Sequence, residues 1–305
     1  MAKLSASLKM LINAPFARPG PTAAPPRIAD VYRSIAHEAA KHNVGSQPWL
    51  AFSAAATITL NSPDALAVLY RVATDSTTPP PPPALAPVAT AELIREVGLK
   101  CIGFNGIPRT INVLGSFRAN GIPPDVAAQL STTPTRVPTA ETLPETTARG
   151  LGLWRSVYAG VDVKLLDKLA ESHPDLPVHI LNSHYGPLFT DPPNHAAGGL
   201  ANVGRALTSL VGIACLRAQT GVGPQVVSHV FGLRKAIVDG TWLPGGANAT
   251  DADRDSVRGV DWLATNEGSE WLLQSIDQIV AALGGANFAG GSSSAGEEAP
   301  AKAKL

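Results

Sequence analysis

The chain has 305 residues, enough for one large or two ordinary domains with a sizeable core. Lys plus Arg equals Asp plus Glu at 24 each, so no overall field favours nucleic acid or an anionic surface. Two cysteines are too few for a disulfide scaffold, and no apolar run reaches the roughly 18 residues a bilayer span needs, so the sequence reads as soluble, with no nucleic-acid partner and no membrane span.

In chain order, residues 1–29 contain no acid, and Lys3, Lys9, Arg18 and Arg27 sit among Leu4, Leu8, Leu11 and Ile12. That is the composition of a mitochondrial presequence, although the Pro-rich stretch at 15–26 cuts any such helix short and a folded first helix with a linker reads equally well. We treat 1–26 as an extension. Residues 27–43 read as the first core helix, with Ile28, Val31, Tyr32 and Ile35 on one stripe. His37 and His42 are five apart, not the four of a zinc-binding helix. A helix over 48–58 follows, then a start at 61–64 with Ser62 as cap and Pro63 in the first turn. Five prolines at 79–83 predict an extended loop.

Thr90 is expected to cap the next helix, with Glu92 and Glu96 favourable near its positive end. This helix should break at Asn105-Gly106 and resume from Pro108 to Phe117, opening backbone groups beside Cys101, Asn105 and Arg109 to a ligand. The planar fork of Arg109 suits a carboxylate or phosphate; a structural arginine tying the turn or a nearby helix end is the competing reading. Cys101 also reads as a small buried hydrophobe.

Residues 121–144, rich in Thr and Pro, connect a first half (27–120) to a second (145–284). Helices are predicted over 145–159, 162–171 and 176–188, the last ending at Tyr185-Gly186-Pro187. His179, His184 and His195 with Asp191 could ligate a metal, but no dense ligand spacing supports it, and no metal is assigned. Residues 201–240 predict two helices around a turn at Thr220-Gly221, with Pro224 opening the second. His229 stands out as the polar group on the second helix's apolar side, and Gln225 lies one turn earlier on the same face. Helices over 251–263 and 267–283 complete the chain. Strand patterns are scarce, so the fold should be nearly all-α.

The tail, 285–305, reads as flexible, and its last three residues, Ala303-Lys304-Leu305, are a close variant of the Ser-Lys-Leu peroxisomal address. This predicts an import receptor as partner and the peroxisomal matrix as location, with mitochondrial targeting through the amino terminus as an addition.

The Arg-Ala-Leu helix at 205–207, the short turn and the His-bearing helix resemble the core hairpin of the carboxymuconolactone decarboxylase and alkylhydroperoxidase D-like superfamily. The segment 104–109, Phe-Asn-Gly-Ile-Pro-Arg, resembles that group's Tyr/Phe-x-Gly-x-Pro-Arg turn. The resemblance implies an all-α helical bundle of two fused halves, as in fungal members, and homo-oligomerisation, a dimer first. It also implies a small-molecule ligand, with His229 as general acid or base and Gln225, Arg109, Asn105 and Cys101 as ligand-binding residues. The Cys-x-x-Cys dithiol of the peroxidase branch would fall at Val222 and Gln225, and the relay acid near Leu210, so neither is present. No cofactor is implied. Proton transfer on a small metabolite is the leading expectation; the alternatives are a non-catalytic binding or scaffold member and residual single-cysteine antioxidant activity.

Overall fold

The computed structural model describes residues 3–75, 85–193, 195, 199–244 and 248–285, and every regular element among them is helical. The fold is all-α. The proline run at 79–83 and the tripeptide Ala303-Lys304-Leu305 lie outside the described residues. Helix α1 (Ala6–Ile12) is capped by Ser5, has no buried residue and ends before Pro15.

The centre of the molecule is α3 (Ser46–Thr59), in which every residue but Gln47 is buried. A helix that is apolar or small all round has no solvent face, and here it takes neighbours on all sides. These are α2 (Ile28–Lys41), α4 (Pro63–Thr74), α5 (Pro87–Lys100), α16 (Asn266–Ala282) and, most extensively, α12 (Gly204–Gln219). Helix α12 is buried without interruption from Ala206 to Leu216. One apolar cluster joins these helices, with Trp271 of α16 set edge-on to Phe52 of α3.

A smaller cluster, Trp154, Val157, Tyr185 and Phe189, lies where α9 (Thr142–Tyr158) meets a π-helix (Ile180–Phe189). Phe104, in the short α6 (Ile102–Asn105), packs against both clusters and marks the seam between them.

Several local expectations need correction. Ser62 precedes α4, but its hydroxyl donates to the Thr22 carbonyl at 2.8 Å and so fastens the N-terminal segment rather than capping the helix. Helix α5 begins at Pro87, three residues before Thr90, whose hydroxyl turns back to the Ala86 carbonyl. Glu92 and Glu96 are therefore interior, and both are buried and paired rather than exposed at a helix end. Residues 176–188 are not one α-helix: α11 (Asp175–His179) passes into the π-helix, which holds Pro187. The wide turn brings Gly186 against Gly150 of α9, so closely that a Cβ on Gly150 would stand 2.5 Å from the Gly186 nitrogen. The region 251–263 is split into α14 (Asp251–Ser256) and α15 (Val260–Leu263) by Gly259, whose φ of 78° is left-handed. The break after α6 falls at Gly106, φ 79°, and α7 (Ile107–Ser116) follows as expected.

Candidate functional site

Helix α13 (Gly223–Val238) opens with Pro224 in its first turn and buries His229, Gly232, Leu233 and Ala236, one stripe at helical spacing. His229 lies against α12 at Gly212. A Cβ there would stand 2.7 Å from His229 Nδ1 and 3.2 Å from Phe104 Cζ, so the missing side chain is what makes room for the imidazole. The ring centroids of Phe104 and Tyr158 lie 5.6 and 6.4 Å away, both edge-on. His229 Nδ1 is buried and meets no hydrogen-bonding group among the described residues. Burial first, and the positive charge of Arg205 second, pull the His229 pKa down to about 4, so the imidazole is neutral at pH 7.

Arg205, in the first turn of α12, shares the cavity wall with His229. Its Nε donates to Ser156 Oγ at 2.8 Å, Nη1 to Ser209 Oγ and Nη2 to the Gly232 carbonyl at 2.8 Å. All of these acceptors are neutral. No carboxylate stands within ion-pair distance of Arg205 among the described residues, and Asp239, which acts on it through space, is paired with Lys235 at 3.0 Å. Desolvation brings the Arg205 pKa down to about 10. Phe104, Phe189, Tyr185 and Ser209 complete a cavity of about 10 Å³, close to the space of a single water. Tyr185 donates to the Tyr158 hydroxyl at 3.3 Å, and burial raises both phenols, which stay protonated. Chemically, the site joins a neutral imidazole with a free nitrogen, two phenols and a guanidinium without a counter-charge.

Of the residues anticipated from sequence, only His229 lies in this wall. Gln225 is exposed at the start of α13. Cys101, Asn105 and Arg109 gather elsewhere, against the end of α3. Arg109 donates to the Thr59 carbonyl, which is the helix-end role weighed above, and burial lowers its pKa. Asn105 Nδ2 donates to Thr59 Oγ1 at 2.9 Å and to Cys215 Sγ at 3.7 Å, while its buried Oδ1 has no hydrogen-bonding partner among the described residues. Cys215 in turn lies 3.5 Å, sulfur to sulfur, from Cys101. Arg205 had no role in the sequence reading. The signal was present: positions 205, 208, 209 and 212 share one face of α12, and Arg, Thr, Ser and Gly stand there inside an otherwise apolar run.

A second polar centre lies on α5. Glu92, Glu96 and Lys100 occupy one buried face at spacing four. Arg95 bridges Glu92 and the Ser131 carbonyl; Arg136 pairs with Glu96 at 2.9 Å. Lys100 Nζ donates to the Phe189 carbonyl at 2.6 Å and to Asp191 at 2.8 Å, and Asp191 also accepts from the Gly204 N–H that opens α12. His195 Nδ1 pairs with Thr135, and its Nε2 comes within 3.0 Å of Glu96 without the alignment of a hydrogen bond. Glu96, Asp191 and His195 thus converge as metal ligands would. His179 and His184 do not join them, being set edge-on to each other at 5.1 Å. The ammonium of Lys100 and the guanidinium of Arg136 already neutralise both carboxylates, so this donor set suits an ion-pair network better than a cation. A cavity of about 580 Å³ lies nearby between the connector, α9 and the π-helix, and its arginines, Arg136 and Arg149, are likewise paired with Glu96 and Glu145.

No family model matches this chain, and neither the curated proteins nor the solved structures compared with it gave a match.

Proposed function

We propose that this chain is an enzyme that moves a proton on a small, carboxylate-bearing metabolite, with His229 as the base and Arg205 as the anchor for the carboxylate. One observation supports this above the rest: a desolvated guanidinium with no acidic partner among the described residues, and a buried imidazole nitrogen with no hydrogen-bonding partner among them, face the same cavity. Each is costly for a folded protein to keep, and a small anion would satisfy both. Its charge beside Arg205 would cancel the repulsion felt by the imidazolium and raise the His229 pKa toward neutrality, where proton transfer is most effective. The cavity is small, so a substrate larger than a water must displace the Phe104–Phe189 stack that closes it.

The fold-level part of this reading is the resemblance to carboxymuconolactone decarboxylase-like proteins lacking the dithiol. Two similar hairpins favour the two-half organisation. In each, a buried helix (α3 or α12) is followed within two residues by a positive φ (Asn61, or Thr220 and Gly221), and the next helix (α4 or α13) carries a proline in its first turn. Val227 and Phe231, one turn apart and exposed on α13, favour a homo-oligomer. Import into peroxisomes through Ala303-Lys304-Leu305 belongs to the same proposal.

The small volume of the cavity favours a second reading, a non-catalytic member in which His229 is only an internal packing group. Turnover and thermal-shift measurements against lactones, keto acids and acyl thioesters separate the two, run with wild type, His229→Gln and Arg205→Lys. The enzyme reading expects a carboxylate-bearing substrate whose turnover is lost in His229→Gln and whose binding weakens in Arg205→Lys. A substrate processed equally by all three proteins would move the site elsewhere, and silence across the panel would favour the packing role.

A further inference from the structure

We infer that Cys101 and Cys215 form a reversible disulfide that clamps α12 to the junction of α5 and α6. The two are the only cysteines in the sequence and stand 114 positions apart. The fold nevertheless brings their sulfurs to 3.5 Å, both wholly buried. A disulfide needs about 2.05 Å, so the remaining gap is of the size that small rotations about the two Cα–Cβ bonds can close.

The surroundings decide how such a bond would be made. Burial, and the neighbouring Cys215, push the Cys101 thiol well up, so it gives up its proton only as it attacks. The Asn105 N–H reaches Cys215 Sγ at 3.7 Å and would favour negative charge on that sulfur, so we assign the first attack to Cys215. With a peroxide as oxidant, Cys215 sulfur takes the distal oxygen as the O–O bond breaks, releasing an alcohol or water. Cys101 sulfur then displaces water from the resulting sulfenic acid. Two protein thiols lose two electrons and two hydrogens, and the peroxide is reduced to an alcohol and a water. Two equivalents of a small thiol reverse the bond by successive exchange through a mixed disulfide, leaving both protein thiols and one small disulfide.

The place of the bond gives it a consequence. Cys215 follows Gly212, the residue against His229, by three positions, and Cys101 precedes Phe104, the opposite wall, by three. The clamp would fix the spacing of α6 and α12 one turn from the His229 cavity. Formation of the bond does not depend on the catalytic reading of that cavity.

The test exposes the full reduced chain to hydrogen peroxide, measures the melting temperature of one native portion, and denatures another in excess iodoacetamide for intact mass and peptide map. The inference expects a species lighter by two hydrogens that takes up no alkyl group. It also expects a cross-linked pair of peptides carrying Cys101 and Cys215, recovery of both thiols with dithiothreitol, and a higher melting temperature for the oxidised form. The Cys215→Ser chain should take up one alkyl group and show no rise in melting temperature. Because buried thiols react slowly, the same analysis is made on chain refolded from denaturant in a glutathione couple. Two alkylatable thiols after both treatments, or one cysteine carried to sulfinic acid without a cross-link, would overturn the inference.

Discussion

Replacing His229 by Gln should change how stability depends on pH more than it changes stability itself. In the unfolded chain a histidine titrates near 6.5, whereas in the folded chain burial and Arg205 bring His229 to about 4. Between these values the unfolded state binds the proton and the native state does not, so stability rises with pH across that window. The contribution is complete above pH 6.5 and is lost as the pH falls toward 4. At about 1.4 kcal/mol for each pH unit, the fall from 6.5 to about 4 corresponds to about 3 kcal/mol. Because His229 is only 8% exposed, solvent screening does not reduce this much. Urea unfolding followed by tryptophan fluorescence at pH 7, 6, 5 and 4 gives the stability gap between wild type and His229→Gln. Other titrating groups cancel in that difference. The gap should shift by about 3 kcal/mol against wild type on acidification. A gap constant to within about 0.5 kcal/mol would show that the imidazole is hydrated in the folded chain, and the desolvated site would fall with it.

Other expectations are more local. Lys100→Met leaves the buried Asp191 carboxylate without its nearest cation and should cost about 3–5 kcal/mol in chemical denaturation; adding Asp191→Asn should cost less than the two single changes summed, since they share one contact. Two glycines of α9 should respond in opposite directions. Gly152 has open space around its Cβ position, so Gly152→Ala should stabilise by up to about 1 kcal/mol. Gly150→Ala would drive a Cβ to 2.5 Å from the Gly186 nitrogen and 2.6 Å from its Cα, backbone that cannot rotate away, and should lower the denaturation midpoint by the equivalent of about 1–3 kcal/mol. Equal effects at 150 and 152 would mean that α9 and the π-helix do not touch as described.

The helices were largely legible because their signals are local. The stripe of Ile28, Tyr32 and Ile35, the Thr220-Gly221 stop and the Pro224 start each fix one element within a few residues, and each element lies where it was expected. The errors arose where a side chain had two possible partners. The Ser62 hydroxyl can cap its own helix or reach a carbonyl 40 residues away, and tertiary packing chose the second. Glu92 and Glu96 have the composition of an exposed helix start, but the connector lays Ser131 and Arg136 over them and converts that surface into interior. The π-helix was not legible either. Its wide turn coincides with the approach of Gly186 to Gly150, and neither glycine shows in isolation that it faces the other.

The candidate site shows the same division more sharply. His229 was visible as one polar residue in an apolar stretch, whereas its meaning depends on α12, α6 and the π-helix arriving around it. Phe104 decides the matter because it belongs to both apolar clusters. A residue at the seam of two separately packed units can move without unpacking either, while residues inside one cluster cannot. Phe104 and Phe189 stack across that seam at 5.0 Å, and both line the cavity shared by His229 and Arg205. The core that holds Gly212 and Arg205 on α12 would set the site's geometry, and the aromatic wall that the second cluster supplies would govern access to it.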